Sequence, residues 1–95
     1  MIRFSWDHRK NAANRQKHGV SFEEAKSVFY DEHALRYYDP DHSEDEDRFI
    51  MLGLSLLLRT LVVHHSYRQE DSIIRIISAR KATSSEEEAY WRERP

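Results

Sequence analysis

Four β-prone segments follow one another between residues 34 and 80, and that succession is the tightest constraint on what this chain can fold into. Ala34 to Asp39 reads as the first, stopped by Asp39-Pro40. Phe49 to Val63 divides into two strands around Leu56 to Arg59, because Thr60-Leu61-Val62-Val63 is rich in β-branched residues. No Gly, Asn or Pro marks that turn, so a single buried helix over the same stretch stays open. Ser66 to Arg68 ends the third strand and Gln69-Glu70-Asp71 forms a polar turn. Ser72 to Arg80 is then a strand by Ile73, Ile74, Ile76 and Ile77. Strands joined in succession by short connections pair antiparallel, which predicts a small antiparallel sheet.

Helical signals bracket these strands. Ile2, Phe4 and Trp6 alternate with Arg3 and Ser5 in a short opening strand. Asp7 is placed to cap His8 to His18, a basic segment polar nearly all round, and Gly19 stands where a helix-ending glycine belongs. Ser21-Phe22-Glu23-Glu24 is a capping box with Ser21 at the N-cap and Glu24 at N3. Val20 and Ala25 add a weak staple, and Phe22, Ala25, Val28 and Phe29 give this second helix its apolar face. Thr83-Ser84-Ser85-Glu86-Glu87 opens a last helix, with Ser84 and Glu87 or Ser85 and Glu88 as its box. It runs to about Arg94 with Ala89 and Tyr90 available for packing. The predicted class is α+β, in the order β-α-α-β-β-β-β-α, with the helices packed on one face.

At 95 residues the chain suits one domain, 1–95. It has no cysteine, which excludes zinc ribbons, zinc fingers and a disulfide scaffold. The longest apolar stretch, Phe49 to Val63, is shorter than the roughly 20 residues a membrane span needs and contains Arg59. The opening residues read as a strand and not as a secretory signal. The expectation is a soluble cytoplasmic protein without a membrane partner. Its formal net charge is -2, whereas a passive nucleic-acid binder is usually basic. Any nucleic-acid surface must therefore come from distribution. Cations gather from Arg9 to Lys17 and at Arg75, Arg80 and Lys81, and acids from Asp39 to Asp47 and Glu86 to Glu88. The acidic run from Asp41 to Asp47 reads as a solvated loop and lacks the glycine pattern of a calcium loop.

Several blocks, taken in order, resemble a known family. Phe4-Ser5-Trp6-Asp7 is followed by Lys10-Asn11 and Asn14. Lys17-His18-Gly19-Val20-Ser21-Phe22-Glu23-Glu24-Ala25 leads to Val28-Phe29-Tyr30-Asp31. Arg48, Gly53, Leu61-Val62-Val63 and Tyr67 come next. Ile74-Arg75-Ile76-Ile77-Ser78-Ala79-Arg80-Lys81-Ala82-Thr83 is the most specific block, and Glu87 or Glu88 and Tyr90 follow it. With these the chain resembles the BrnT toxins over almost its whole length. The departure is at Leu54 to Leu58, where similar proteins tend to carry a polar turn. The resemblance implies a RelE-like fold and RNA cleavage that inhibits translation and growth. It also implies a BrnA-like antitoxin with a ribbon-helix-helix region, in a two-plus-two complex that binds and represses its own operator DNA.

Metal-independent RNA cleavage must deprotonate the ribose 2′-hydroxyl, place positive charge around the phosphorane oxygens and protonate the leaving 5′-oxygen. It leaves a 2′,3′-cyclic phosphate and a 5′-hydroxyl, with no metal and no cofactor. Arg80 and Lys81, at the end of the last strand, are the first choice for charge stabilisation. Arg75 opposes Arg80 if the strand is regular, so both are not expected to line one site. His64, His65 and Tyr67 are candidates for proton transfer, with His64 and His65 on opposite faces. Tyr67 is also placed to stack on a base, and Arg48 to contact phosphate. Lys10, Arg15, Lys17 and His18 form a basic helical surface suited to RNA or to an acidic antitoxin, or are simply solvated. Trp6 reads as core and Trp91 as exposed or partner-facing. Tyr37 and Tyr38 cannot both be core.

Two other classes stay in view. A non-catalytic binding module that only partners a DNA-binding antitoxin would fit the slight excess of acid and the absence of an obvious catalytic pair. A metal enzyme using His33, His42, His64 or His65 has no His-x-x-x-His spacing to support it.

Overall fold

The computed structural model describes residues 2–94. Strand β1 (Arg3–Ser5) is followed by helices α1 (His8–His18) and α2 (Phe22–Ser27), the latter running on into a 3-10 turn at Val28–Tyr30. Strand β2 (Leu35–Tyr38) leads through a 3-10 turn at Pro40–His42 to β3 (Arg48–Leu54), β4 (Thr60–Arg68), β5 (Ile73–Lys81) and helix α3 (Ser84–Arg92). This is the order read from the sequence. The Phe49–Val63 stretch is two strands and not a helix. Its turn closes with Ser55 N–H donating to the Arg59 carbonyl (2.9 Å) and Leu58 N–H to that of Ser55 (2.9 Å). Leu58 takes φ 61°, a left-handed conformation usually left to glycine or asparagine, which is why no turn residue announced it. Leu56, Leu57 and Leu58 stand exposed at its tip. Among the described residues no helix is long and apolar enough to cross a membrane.

The sheet has the order β1-β5-β4-β3-β2. β2 to β5 pair antiparallel, but β1 lies parallel to β5, with Arg3 opposite Ile73 and Ser5 opposite Arg75. The sheet is therefore mixed, which corrects the antiparallel expectation. The short-connection argument governs neighbours in sequence, and β1 meets a strand from the far end of the chain.

A second correction lies between β4 and β5. His64 pairs with Ser78 but His65 with Ile76, so Ile77 is an extra, bulged residue. Side chains alternate along a strand, and one inserted residue reverses their parity. Arg75, opposite Ser66, and Arg80, opposite Val62, thus fall on the same face.

Helices also cover both faces, where one was expected. Leu61, Val63, Ile74, Ile76 and Ala79 pack against Val20, Phe22, Ala25 and Val28 of the α1–α2 hairpin. Leu52 and Val62 on the other side pack with Tyr90 of α3, joined by Leu35, Ile50 and Ala82. Each fully buried large apolar side chain contributes about 2 kcal/mol, and α3 has a row of them to cover because the hairpin already fills the opposite face. Thr83 caps α3 in a reciprocal box with Glu86, one residue ahead of the predicted serines. Ser21 accepts from Glu24 N–H (3.0 Å), but the other half of that predicted box is missing. The Glu24 carboxylate instead takes the Ser55 hydroxyl (2.7 Å) and the Arg59 guanidinium.

α1 is docked by polar groups, which explains its lack of an apolar face. Buried Asn14 donates to the carbonyls of Val20 and Ala79, both at 2.8 Å, and accepts from Ala79 N–H at 3.1 Å. Asn11 accepts from Phe22 N–H at 2.9 Å. Asp7 caps the helix start, and Gly19 ends it at φ 69°.

Candidate active site beside helix α3

α3 covers only part of its sheet face. By strand alternation that face also carries Arg48 of β3, His64 and Ser66 of β4, and Arg75 and Arg80 of β5. The turn after β2 brings two more groups to it. Asp39 N–H donates to the Arg48 carbonyl (2.8 Å), extending the β2–β3 ladder by one residue. Pro40 then turns the chain. The Ser43 hydroxyl donates to the Asp39 carbonyl (2.6 Å) and accepts from Arg48 N–H (2.8 Å), which closes the loop. The buried Asp39 carboxylate is left between two imidazoles. Its Oδ2 lies 2.8 Å from His42 Nδ1 and 3.6 Å from His64 Nδ1. The two rings stand 6.2 Å apart at 83°.

The charges in this cluster tune one another. Burial pushes the Asp39 carboxyl pKa up, but the hydrogen bond and charge of His42, with His64 behind it, outweigh that and hold it below its usual value. Burial depresses the His64 pKa, Asp39 opposes, and Arg80 and His42 push it further down. The net effect keeps His64 below the ordinary imidazole value, so it is a neutral proton acceptor near neutral pH. With Nδ1 turned toward Asp39, each ring has its Nε2 on the side away from that carboxylate.

Arg80 is held by Glu86 through Nη1 (2.8 Å) and Nη2 (2.9 Å), and its Nη1 also approaches the Lys81 carbonyl at 3.3 Å. That hydrogen bond drives the Glu86 carboxyl down to about 2 and raises the Arg80 guanidinium. The end-on fork of Arg80 is thus used internally, while Nε–H and the second Nη2–H form a side-on fork suited to phosphate. Arg48 Nε, 3.6 Å from Glu46 Oε1, and the Ser66 hydroxyl are buried without a hydrogen-bond partner. They belong to directly opposed residues, and buried polar atoms of this kind need water or a ligand.

Of the residues singled out from sequence, the structure gathers His64, Arg48, Arg80 and Arg75 on one face. It puts Lys81 and Tyr67 on the other, as strict alternation requires of Lys81 beside Arg80. The Lys81 charge acts instead on Glu24. His65 is fully buried on that second face, edge-on to Phe29 (4.8 Å) and Tyr67 (5.3 Å), and burial takes its pKa down to about 4. Lys10, Arg15, Lys17 and His18 lie on α1, across the sheet from His64. Asp39 and Glu86 were not singled out as site residues, and His42 was weighed only as a metal ligand. The one signal was Asp39-Pro40, which fixes a turn able to return a side chain three residues later to the same carboxylate. Among the described residues no three His, Asp or Glu side chains group as a metal site.

Residues 6–86 match the family described as ribonuclease toxin, BrnT, of type II toxin-antitoxin system. No curated protein sequence matches significantly. The crystal structure of the Brucella abortus ribonuclease toxin BrnT superposes with a TM-score of 0.64 at 21% identity, covering 88% of this chain and 100% of that one.

Proposed function

The chain belongs to the BrnT family of ribonuclease toxins of type II toxin-antitoxin systems, and on that premise we propose that it cuts RNA internally, without a metal, at the His64–Asp39–His42 cluster. The observation that carries this reading is the single buried carboxylate shared by two imidazoles beside Arg80 and Arg48. His64 Nε2 takes the 2′-hydroxyl proton as the 2′-oxygen bonds to the adjacent phosphorus. The bond from phosphorus to the 5′-oxygen breaks, and His42 gives that oxygen its proton. Two rings 6.2 Å apart are spaced to flank one phosphodiester. The side-on fork of Arg80, with Arg48, holds the phosphoryl oxygens. Asp39 keeps both rings turned and stabilises whichever is protonated.

The family implies an antitoxin. We take it, by resemblance, to be a ribbon-helix-helix protein in a two-plus-two complex that binds operator DNA, and the basic end of α1 as a surface open to it. The deciding assay is cleavage of RNA by the purified protein in EDTA, with a His64→Ala variant alongside and end-group analysis of the fragments. Cyclic phosphate and 5′-hydroxyl ends from the native protein, and none from the variant, are expected. Cleavage that persists in His64→Ala overturns the assignment. No cleavage until translating ribosomes are added keeps the chemistry and makes the ribosome part of the substrate.

A further inference from the structure

A second group of side chains, unused by that chemistry, lies on the opposite face of the sheet at the same end. Arg36 of β2 places its guanidinium carbon 5.0 Å from the Phe49 ring centroid and 5.7 Å from that of Tyr67, and donates to the Tyr67 hydroxyl at 3.1 Å. Phe49 and Tyr67 meet edge-on at 5.3 Å. Buried His65 supports them from beneath, with Nε2 3.3 Å from the Tyr67 hydroxyl. Arg36 is exposed, and no carboxylate among the described residues pairs with it. An exposed arginine is thus ordered by aromatic rings and a phenol alone, which leaves its charge and a face of the cluster for a guest. The cleft it roofs, about 410 Å³, is lined by Arg36, Phe49 and Tyr67 together with the carboxylates of Asp47 and Asp71. The Tyr38 hydroxyl donates to Asp47 at 3.3 Å, and Asp71 is fixed in a left-handed turn at φ 69°.

We propose that this cleft binds one nucleobase of the RNA substrate and prefers guanine. The proposal rests on the ribonuclease reading above and adds a recognition site to it. An arginine plane with aromatic rings is what a nucleobase stacks on. A carboxylate beside it selects a base edge with two adjacent N–H donors, and guanine offers N1–H and N2–H side by side. The two sites lie back to back across the end of an edge strand. Tyr38 pairs with Phe49 on the cleft side, and the next residue, Asp39, belongs to the histidine cluster. Exposed Tyr37 and Tyr38 present one ring to each face of that edge, lining the path a single strand takes between them.

The test uses the full chain in a cleavage-inactive His64→Ala background. Binding is read by fluorescence anisotropy with a labelled all-uridine hexaribonucleotide and with the same hexamer carrying one guanine. The guanine probe is expected to bind at least several-fold tighter. Arg36→Gln, an exposed change that leaves the core intact, should erase that preference, and adding Tyr67→Leu should weaken binding about tenfold, the loss of one stacked base. Photocrosslinking of the guanine probe should map to the peptides holding Phe49 and Tyr67. Equal affinity for both probes, unchanged affinity in Arg36→Gln, or crosslinks confined to other peptides overturn the proposal. Displacement of the RNA by free GMP at matching concentration overturns it in favour of a nucleotide site. Cleavage by the native chain is measured in parallel. Cleavage without any cleft effect sinks the cleft alone, and guanine-selective binding with no cleavage, even with translating ribosomes added, sinks the catalytic reading alone.

Discussion

Arg75 and Arg80 face the same side of the sheet, where a regular strand would oppose them, because Ile77 is bulged between them. Lys81, next to Arg80, faces away. Arg80→Ala is accordingly expected to lower kcat for RNA cleavage by about 10²–10³, the usual loss for one transition-state donor. Lys81→Ala should leave kcat nearly unchanged. Equal losses in the two variants would show that the face assignment does not describe the catalytic site.

The depressed His64 pKa gives the cleavage rate a direction with pH. The rate should fall as pH drops and His64 takes up a proton, with a midpoint below 6.5. Asp39 raises the His64 pKa, so Asp39→Asn should move that midpoint lower still while reducing the plateau rate. A pH–rate profile of both proteins on one RNA checks this. A midpoint that moves upward in Asp39→Asn contradicts the geometry.

Asn14 binds three backbone groups of Val20 and Ala79. Asn14→Ala leaves them buried and unpaired and should cost about 3 kcal/mol in urea denaturation. Asn14→Asp should cost at least as much, because it turns an acceptor against two carbonyls. A variant within 1 kcal/mol of the parent would mean water replaces the side chain freely (about the lower limit for one such unpaired group).

Glu24 is buried against Arg59 and Ser55, and although burial pushes its pKa up, those partners hold it below the ordinary 4.5. A depressed carboxyl pKa contributes stability that is present above pH 4.5 and lost as pH falls through the folded-state value. Arg59→Ala strands the carboxylate and should destabilise by about 3 kcal/mol at neutral pH. It should also flatten the acid dependence. The stability of Arg59→Ala measured from pH 7 downward reports both.

Signals that act within a few residues were readable in the sequence. Asp7, Gly19, Ser21 and Asp39-Pro40 each mark a boundary by their own chemistry, and the element order followed from them. Long-range pairing left no such mark. Nothing in Arg3-Phe4-Ser5 names β5 as its partner, and no residue near Ile77 announces a bulge. The candidate site was half legible for the same reason. His64, Arg80 and Arg48 stand out by type, but Asp39 joins them only through the register of β2 against β3, and His42 only because the turn at Pro40 folds it back onto Asp39. Alternation alone would have parted Lys81 from Arg80, and Tyr67 from His64.

The parallel pairing of β1 with β5 also sets when this molecule can exist. Until residues 73–81 are made, β1 has no neighbour and Asn14 has no Ala79 to hold, so the opening helical hairpin has no sheet to settle on. Arg80 arrives with that strand, and the Glu86 that braces it later still. Contacts this distant in the chain form late and slowly. A polypeptide cut short before β5 is therefore expected to leave β1 unpaired, Asn14 without its Ala79 partner and the arginine side of the candidate site unbuilt.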